Sequence, residues 1–122
     1  MKTLLQAIAQ MEGFYAQGTR PQRNNNPGDI QWGEFASKHG ADGPETLSNG
    51  GAGRFARFPD ADTGFAAMRA LLQGPSYQGL SVEEALNKWA PPVENDTTSY
   101  VVSVCKMVGC LPNDCIDDLV KL

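Results

Sequence analysis

The chain has 122 residues, with ten basic and fourteen acidic side chains and a formal net charge of −4. Hydrophobic residues make up 41% of it, which is enough for the core of a single domain over residues 1–122 and too much for a disordered chain. The acidic balance argues against nucleic acid as the main partner, because binding to phosphates requires a basic surface. No apolar stretch approaches the roughly 20 residues of a membrane span.

The N-terminal half predicts one helix followed by a long irregular region. Apolar residues at three- and four-residue steps predict an amphipathic helix over residues 3–17. Frequent Asn, Pro and Gly predict loops over residues 18–53. Residues 30–32 and 54–58 are the best strand candidates, and they would pair as a small hairpin across the loop.

From residue 59 onward the pattern is helical, and the third of these helices carries valines that would also suit a strand. Each helix is expected to begin at a capping residue: Asp60 or Asp62, Ser81 with Glu84 in a capping box, Asn95 or Asp96, and Asn113. The expected fold is α+β and mainly helical, with about five helices and a small β-hairpin.

Three cysteines, Cys105, Cys110 and Cys115, lie five residues apart near the C-terminus. An odd number permits at most one internal disulfide, so we expect either plain packing or one local bridge, and whether Cys110 and Cys115 pair stays open. The single histidine, His39, is far away in the sequence, so this spacing does not match a zinc site and no metal is expected.

Glu12 is the first candidate for chemistry. It follows Ile8 by four residues and shares a flank with the apolar stripe, so its carboxylate should be partly desolvated. Desolvation favours the neutral acid, which a proton donor at neutral pH requires. Gly13 leaves room for a substrate. The alternative is that Glu12 is a solvated residue at the edge of the apolar face and has no catalytic role.

Two further segments combine polar groups with aromatic rings. Residues 23–32 contain three consecutive Asn residues and Trp32, and amides beside an aromatic plane suit a sugar, although turn geometry alone would also require these residue types. Residues 90–101 predict the end of one helix and the capped start of the next. Tyr100 lies one turn into that helix, where its hydroxyl could reach a polar partner.

Together these motifs resemble the lysozyme-like peptidoglycan-cleaving domains, which include lytic transglycosylases and goose-type lysozymes. The resemblance runs from about residue 3 to residue 109 and is carried by residues 12–13, 23–30, 58–68 and 90–100. It implies that Glu12 is the catalytic acid and that Tyr100 hydrogen-bonds to it. The chain departs from the transglycosylase pattern at Gly13, where Ser is usual, and at Asp29, which replaces an apolar residue.

The implied substrate is the β-1,4 bond between N-acetylmuramic acid and N-acetylglucosamine, with Glu12 as general acid and base in a transglycosylase-type reaction. The predicted substrate-binding residues are Asn25, Asn26, Asp29, Gln31 and Trp32. A hydrolytic muramidase with a water held by Asp29 is the alternative, and Glu34, Asp42 and Glu45 are further candidates for the second carboxylate. A non-catalytic glycan-binding domain and a chitin-like substrate also stay open.

The expected setting follows from the substrate. Peptidoglycan strands would be the partner, in the periplasm or cell wall, with an inhibitor or delivery protein left open. Polar residues Gln6, Gln10 and Glu12 interrupt the first apolar run, so no secretion signal is predicted. We expect a monomer without a cofactor.

Overall fold

The computed structural model describes residues 1–122 and contains seven helices and one two-stranded antiparallel sheet. About 44% of the chain is helical, which confirms the expectation of a mainly helical α+β fold. The elements are α1 (Leu4–Glu12), α2 (Arg20–Arg23), α3 (Glu34–Lys38), β1 (Gly43–Thr46), β2 (Ala52–Arg57), α4 (Ala61–Leu72), α5 (Val82–Trp89), α6 (Thr97–Val108) and α7 (Ile116–Leu119).

The chain divides into two compact units. The terminal unit consists of Met1–Ala7 and Leu71–Leu122, and the central unit consists of Ile8–Ala70. The expectation of one domain over the whole chain stays a prediction. None of the seven helices has the length and apolar character needed to cross a membrane.

Helix α1 ends at Glu12, five residues earlier than predicted. Gly13 adopts a left-handed φ of 89°, and the Phe14 amide donates to the Ala9 carbonyl at 3.0 Å. This is the pattern of a helix closed by glycine, so the apolar spacing of the following residues does not extend the helix. Tyr15, which follows Met11 by four residues and lies within the predicted helix, is consequently 52% exposed.

The sheet of the central unit differs from the predicted hairpin in one strand. β2 lies where a strand was expected, but its partner is β1, whose end is joined to it through the Asn49-Gly50-Gly51 turn. The predicted strand at residues 30–32 forms only an isolated antiparallel bridge, Gln31 opposite Phe55. The pairing of these two segments was therefore expected correctly, but β1 was missed.

Capping residues position most of the later helices. Asp60 accepts from the Thr63 amide at 2.8 Å before α4, and the Ser81–Glu84 capping box begins α5. Asp96 caps α6, which is helical despite its valines. The prediction for α7 was wrong by two residues, since Cys115 rather than Asn113 precedes its first residue.

Each unit has its own buried apolar residues. In the central unit they include Ile8, Ile30, Phe55, Phe58 and Met68. In the terminal unit they include Leu4, Leu72, Val82, Leu86, Tyr100, Val104 and Ile116.

Candidate functional site

The candidate site of the central unit begins at Glu12, the last residue of α1. The residue as a whole is half-buried, neither in the core nor fully in solvent. The following turn is fixed by Thr19, whose hydroxyl donates to the Gly13 carbonyl at 2.7 Å. The backbone on the C-terminal side of Glu12 is therefore held in place.

Arg20 lies one residue after Thr19, at the start of α2, and forms an ion pair with Asp29. Its Nε donates to both carboxylate oxygens of Asp29, at 3.1 and 3.2 Å, and its Nη2 also donates to Oδ2. The guanidinium lies 3.6 Å from the centroid of the Phe55 ring. Contacts on two sides fix the direction of this cation.

Arg20 is within electrostatic reach of three carboxylates. Its hydrogen bonds with Asp29 raise its pKa, partial burial opposes that change, and the charges of Asp29, Glu45 and Glu12 raise the pKa further. The side chain of Arg20 is 45% exposed and that of Asp29 only 8%. The cation therefore stays accessible while its main partner is buried.

Glu45, one of the three further candidates for the second carboxylate, is buried. It is 7% exposed. Its carboxylate accepts hydrogen bonds from the side-chain amide of Asn24 at 3.3 Å and from the backbone amide of Phe55 at 3.2 Å. A Cβ at Gly53 would overlap its side chain, so this glycine provides the space. Glu45 lies at the irregularity between Pro44 and Thr46, where the ladder shifts register, and such bulges redirect side chains.

Asn26 does not lie in a ligand groove, contrary to the prediction. It is fully buried, and its amide nitrogen donates to the carbonyls of Ile30 at 2.9 Å and Ala56 at 3.0 Å. Its amide oxygen accepts from the Ile30 amide at 2.9 Å. Because every one of these bonds is made to the main chain, Asn26 joins the loop to β2 and is closed to a sugar.

Asn25 also has a role within the fold. It adopts a left-handed φ of 51°, and its side-chain amide donates to the Phe58 carbonyl at 3.2 Å. The backbone carbonyl of Asn25 lies against Gly64 of α4. A side chain at position 64 would overlap this carbonyl oxygen, and its Cβ would lie only 2.7 Å from Cδ of Pro27. Asn25 is half-buried, and a contact with substrate stays a prediction.

Gln31 and Trp32 are both exposed, beside the bridge to β2. The Trp32 side chain has a relative exposure of 38%, and its backbone amide donates to the Arg54 carbonyl at 2.9 Å. These two residues are accessible to a ligand, as predicted substrate contacts must be. Their contact with substrate stays a prediction.

Asp29 is accessible only in small part, and its carboxylate is bound to Arg20 through both oxygens. Asp29 therefore orients Arg20, and its contact with substrate or water stays a prediction. The remaining alternatives for a second carboxylate, Glu34 and Asp42, are exposed, and Glu34 pairs with Lys38 at 2.7 Å.

Tyr100 belongs to the terminal unit. It lies on α6 one turn after the Asp96 cap and is 5% exposed. The expected hydrogen bond to Glu12 concerns residues of different units and stays a prediction.

No protein-family model matches the chain, and the search of curated proteins found no match either. The resemblance to lysozyme-like domains is thus a hypothesis that depends on the motifs themselves.

Proposed function

We propose that the protein is a glycosidase that cleaves the β-1,4 bond between N-acetylmuramic acid and N-acetylglucosamine in peptidoglycan, with Glu12 as its general acid. The observation that carries the proposal is the position of Glu12: a half-buried residue at a helix end, followed by a turn that Thr19 fixes. A proton donor requires such partial desolvation and a fixed position relative to the bond that it protonates.

In the first step Glu12 protonates the glycosidic oxygen while an oxocarbenium-like transition state develops. The carboxylate that remains then removes a proton from the 6-hydroxyl of the same sugar, which closes a 1,6-anhydro ring without consuming water. The N-acetyl group of the substrate can stabilise the cation in the meantime. One carboxyl group is therefore sufficient for a lytic transglycosylase.

Arg20 supports this use of Glu12 in two roles. When Glu12 gives up its proton it becomes negatively charged, and a fixed guanidinium within electrostatic reach stabilises that charge. The ion pair with Asp29 fixes the position of this guanidinium. The Arg20–Asp29 pair thus holds a positive charge within electrostatic reach of the acid.

The transglycosylase reaction is favoured over hydrolysis by the state of two of the other carboxylates, Asp29 and Glu45. An inverting hydrolase needs a second carboxylate that holds water about 6.5–9.5 Å from the acid. Asp29 is bound through both oxygens to Arg20, and Glu45 accepts from Asn24 and the Phe55 amide. Both carboxylates therefore already accept hydrogen bonds from groups of the protein itself.

The test is digestion of isolated cell walls by the purified protein, followed by turbidity and by mass spectrometry of the released fragments. We expect 1,6-anhydro ends, and Glu12→Gln should lower the rate by about 10²–10⁴-fold. The matched control is Glu34→Gln, which removes the same charge at an exposed position. Reducing ends would indicate the muramidase alternative, and full activity of Glu12→Gln would overturn the role of Glu12.

Two further readouts separate the remaining alternatives. Cleavage of chitin oligosaccharides at an equal rate would indicate that the lactyl group is not recognised. If the wild-type protein sediments with cell walls and releases nothing, it is a glycan-binding domain. The substrate places the proposed site of action in the periplasm or cell wall.

A further inference from the structure

The C-terminal end of α6, in the terminal unit, brings two cysteines together. Gly109 adopts a left-handed φ of 80°, and the backbone amide of Cys110 donates to the carbonyl of Cys105 at 3.1 Å. This six-residue closure is the Schellman pattern, in which the side chains of the two bonded residues usually form an apolar contact. Here both side chains are thiols.

The two sulfur atoms are already in contact. Cys110 Sγ donates to Cys105 Sγ at a distance of 3.7 Å. Cys105 is buried, Cys110 is half-buried and Cys115 is exposed, and all three are free thiols. A disulfide bond is about 2.05 Å long, so closing the pair needs the two sulfur atoms to approach by less than about 2 Å.

We propose that Cys105 and Cys110 form a dithiol site that is oxidised to an intramolecular disulfide by exchange with a small-molecule or protein disulfide. The turn at Gly109 aligns this pair. Cys115 instead lies at the start of α7, where its backbone pairs with that of Ser81. The proposal is independent of the glycosidase activity.

The exchange takes place in two steps. The thiolate of Cys110, the more accessible of the pair, attacks one sulfur of the oxidant, and a thiolate leaves. Cys105 then loses its proton and attacks Sγ of Cys110, which releases the second thiolate. The two cysteines give up two electrons and two protons, and the oxidant becomes two thiols.

The second step should be slow at neutral pH. Burial raises the pKa of Cys105 to about 12, with further contributions from the thiol of Cys110 and the charges of Asp114 and Glu83. Few Cys105 side chains are thiolates at pH 7, so the mixed disulfide on Cys110 should accumulate. Its closure should become faster as the pH rises, because a larger share of the Cys105 side chains is then thiolate.

The experiment is incubation of the reduced full chain with oxidised glutathione at pH 7 and pH 9, followed by mass spectrometry. We expect a glutathione adduct first and then a product about 2 Da lighter than the reduced protein, formed much faster at pH 9. Trypsin cleaves after Lys106, between the two cysteines. A bridge between Cys105 and Cys110 therefore joins two tryptic peptides, whereas a bridge between Cys110 and Cys115 lies within one.

Three variants make the assignment. Cys115→Ser should form the bridge at the wild-type rate, and Cys110→Ser should form none. The reaction of Cys105→Ala should stop at the glutathione adduct. If that variant does not fold, the absence of a bridge in Cys110→Ser still tests whether Cys110 is one of the two bridged cysteines. The bridged form should melt higher, by on the order of 5 °C. A bridge that includes Cys115, adducts that never close at pH 9, or closure that is independent of pH would overturn the proposal.

Discussion

Arg20 and Asp29 are nine residues apart in the chain and form an ion pair in which both carboxylate oxygens accept from one guanidinium. The pair connects the first residue of α2 to the turn that follows the Asn-rich segment. Asp29 adopts a left-handed φ of 49°, a conformation that aspartate and asparagine tolerate better than most residues. The same residue thus supplies both the bend of the loop and the charge that holds α2.

Asp29→Asn separates these two contributions, because Asn keeps the backbone preference and loses the charge. We expect the free energy of unfolding to fall by about 1 kcal/mol, since Asp29 is buried but Arg20 is partly exposed. Urea unfolding at low and high salt measures it, and the loss should shrink as salt rises.

Glu34→Gln is the control for this prediction, because the Glu34–Lys38 pair is exposed at both ends. It should change the free energy of unfolding by less than about 0.5 kcal/mol. Equal losses in the two variants would contradict a special role for the Arg20–Asp29 pair.

Asn26→Ala should be among the most destabilising single changes in the central unit. It removes three hydrogen bonds to the main chain and leaves buried groups of Ile30 and Ala56 without this partner. We expect a loss of about 2–4 kcal/mol in the free energy of unfolding, measured in urea. The control, Asn49→Ala, removes one exposed bond to Gly51 and should cost less than about 1 kcal/mol. If both variants were equally stable, the amide of Asn26 would not be holding the loop to β2.

Asp60→Asn tests the acid sensitivity of α4. Hydrogen bonds from the amide and hydroxyl of Thr63 lower the pKa of Asp60. A carboxylate with a lowered pKa in the folded state adds stability at neutral pH, and that stability is lost as pH falls through the folded-state pKa. Asn keeps the cap and does not titrate.

The difference in melting temperature between the wild type and Asp60→Asn should therefore be constant from pH 7 to about pH 5 and shrink below about pH 4. Asp62→Asn is the control, because it removes the same charge two residues away, in the first turn of α4, and leaves the Asp60 carboxylate with its bonds from Thr63 in place. A wild-type advantage that grew on acidification would contradict the prediction.

Local signals explain which parts of the fold could be predicted. Ser81 and Asp96 cap their helices through neighbours three residues away, so the sequence itself contains the interaction. Helices α2 and α3 have only four and five residues and lie within an Asn-, Pro- and Gly-rich region. Strand β1 contains Pro44, a residue that argues against a strand, and so it was missed.

The candidate site divides in the same way. Glu12 could be found from its position beside an apolar stripe, and its half-buried state agrees with that expectation. The pairing of Arg20 with Asp29 depends on the path of a loop and has no local signal. The consecutive Asn residues predicted polar contacts with a sugar, whereas Asn26 directs its amide to the main chain of the protein itself.

The absent side chain at Gly64 has a consequence for finding other chains of this construction. The carbonyl of Asn25 occupies the space that any side chain at position 64 would need. The loop and the helix can therefore pack this closely only when residue 64 is glycine. A search pattern that requires both the Asn-Asn-Asn-Pro-Gly segment and this distant glycine should detect homologues in which the loop packs on the helix in the same way. It should do so even where another residue stands at the position of Glu12.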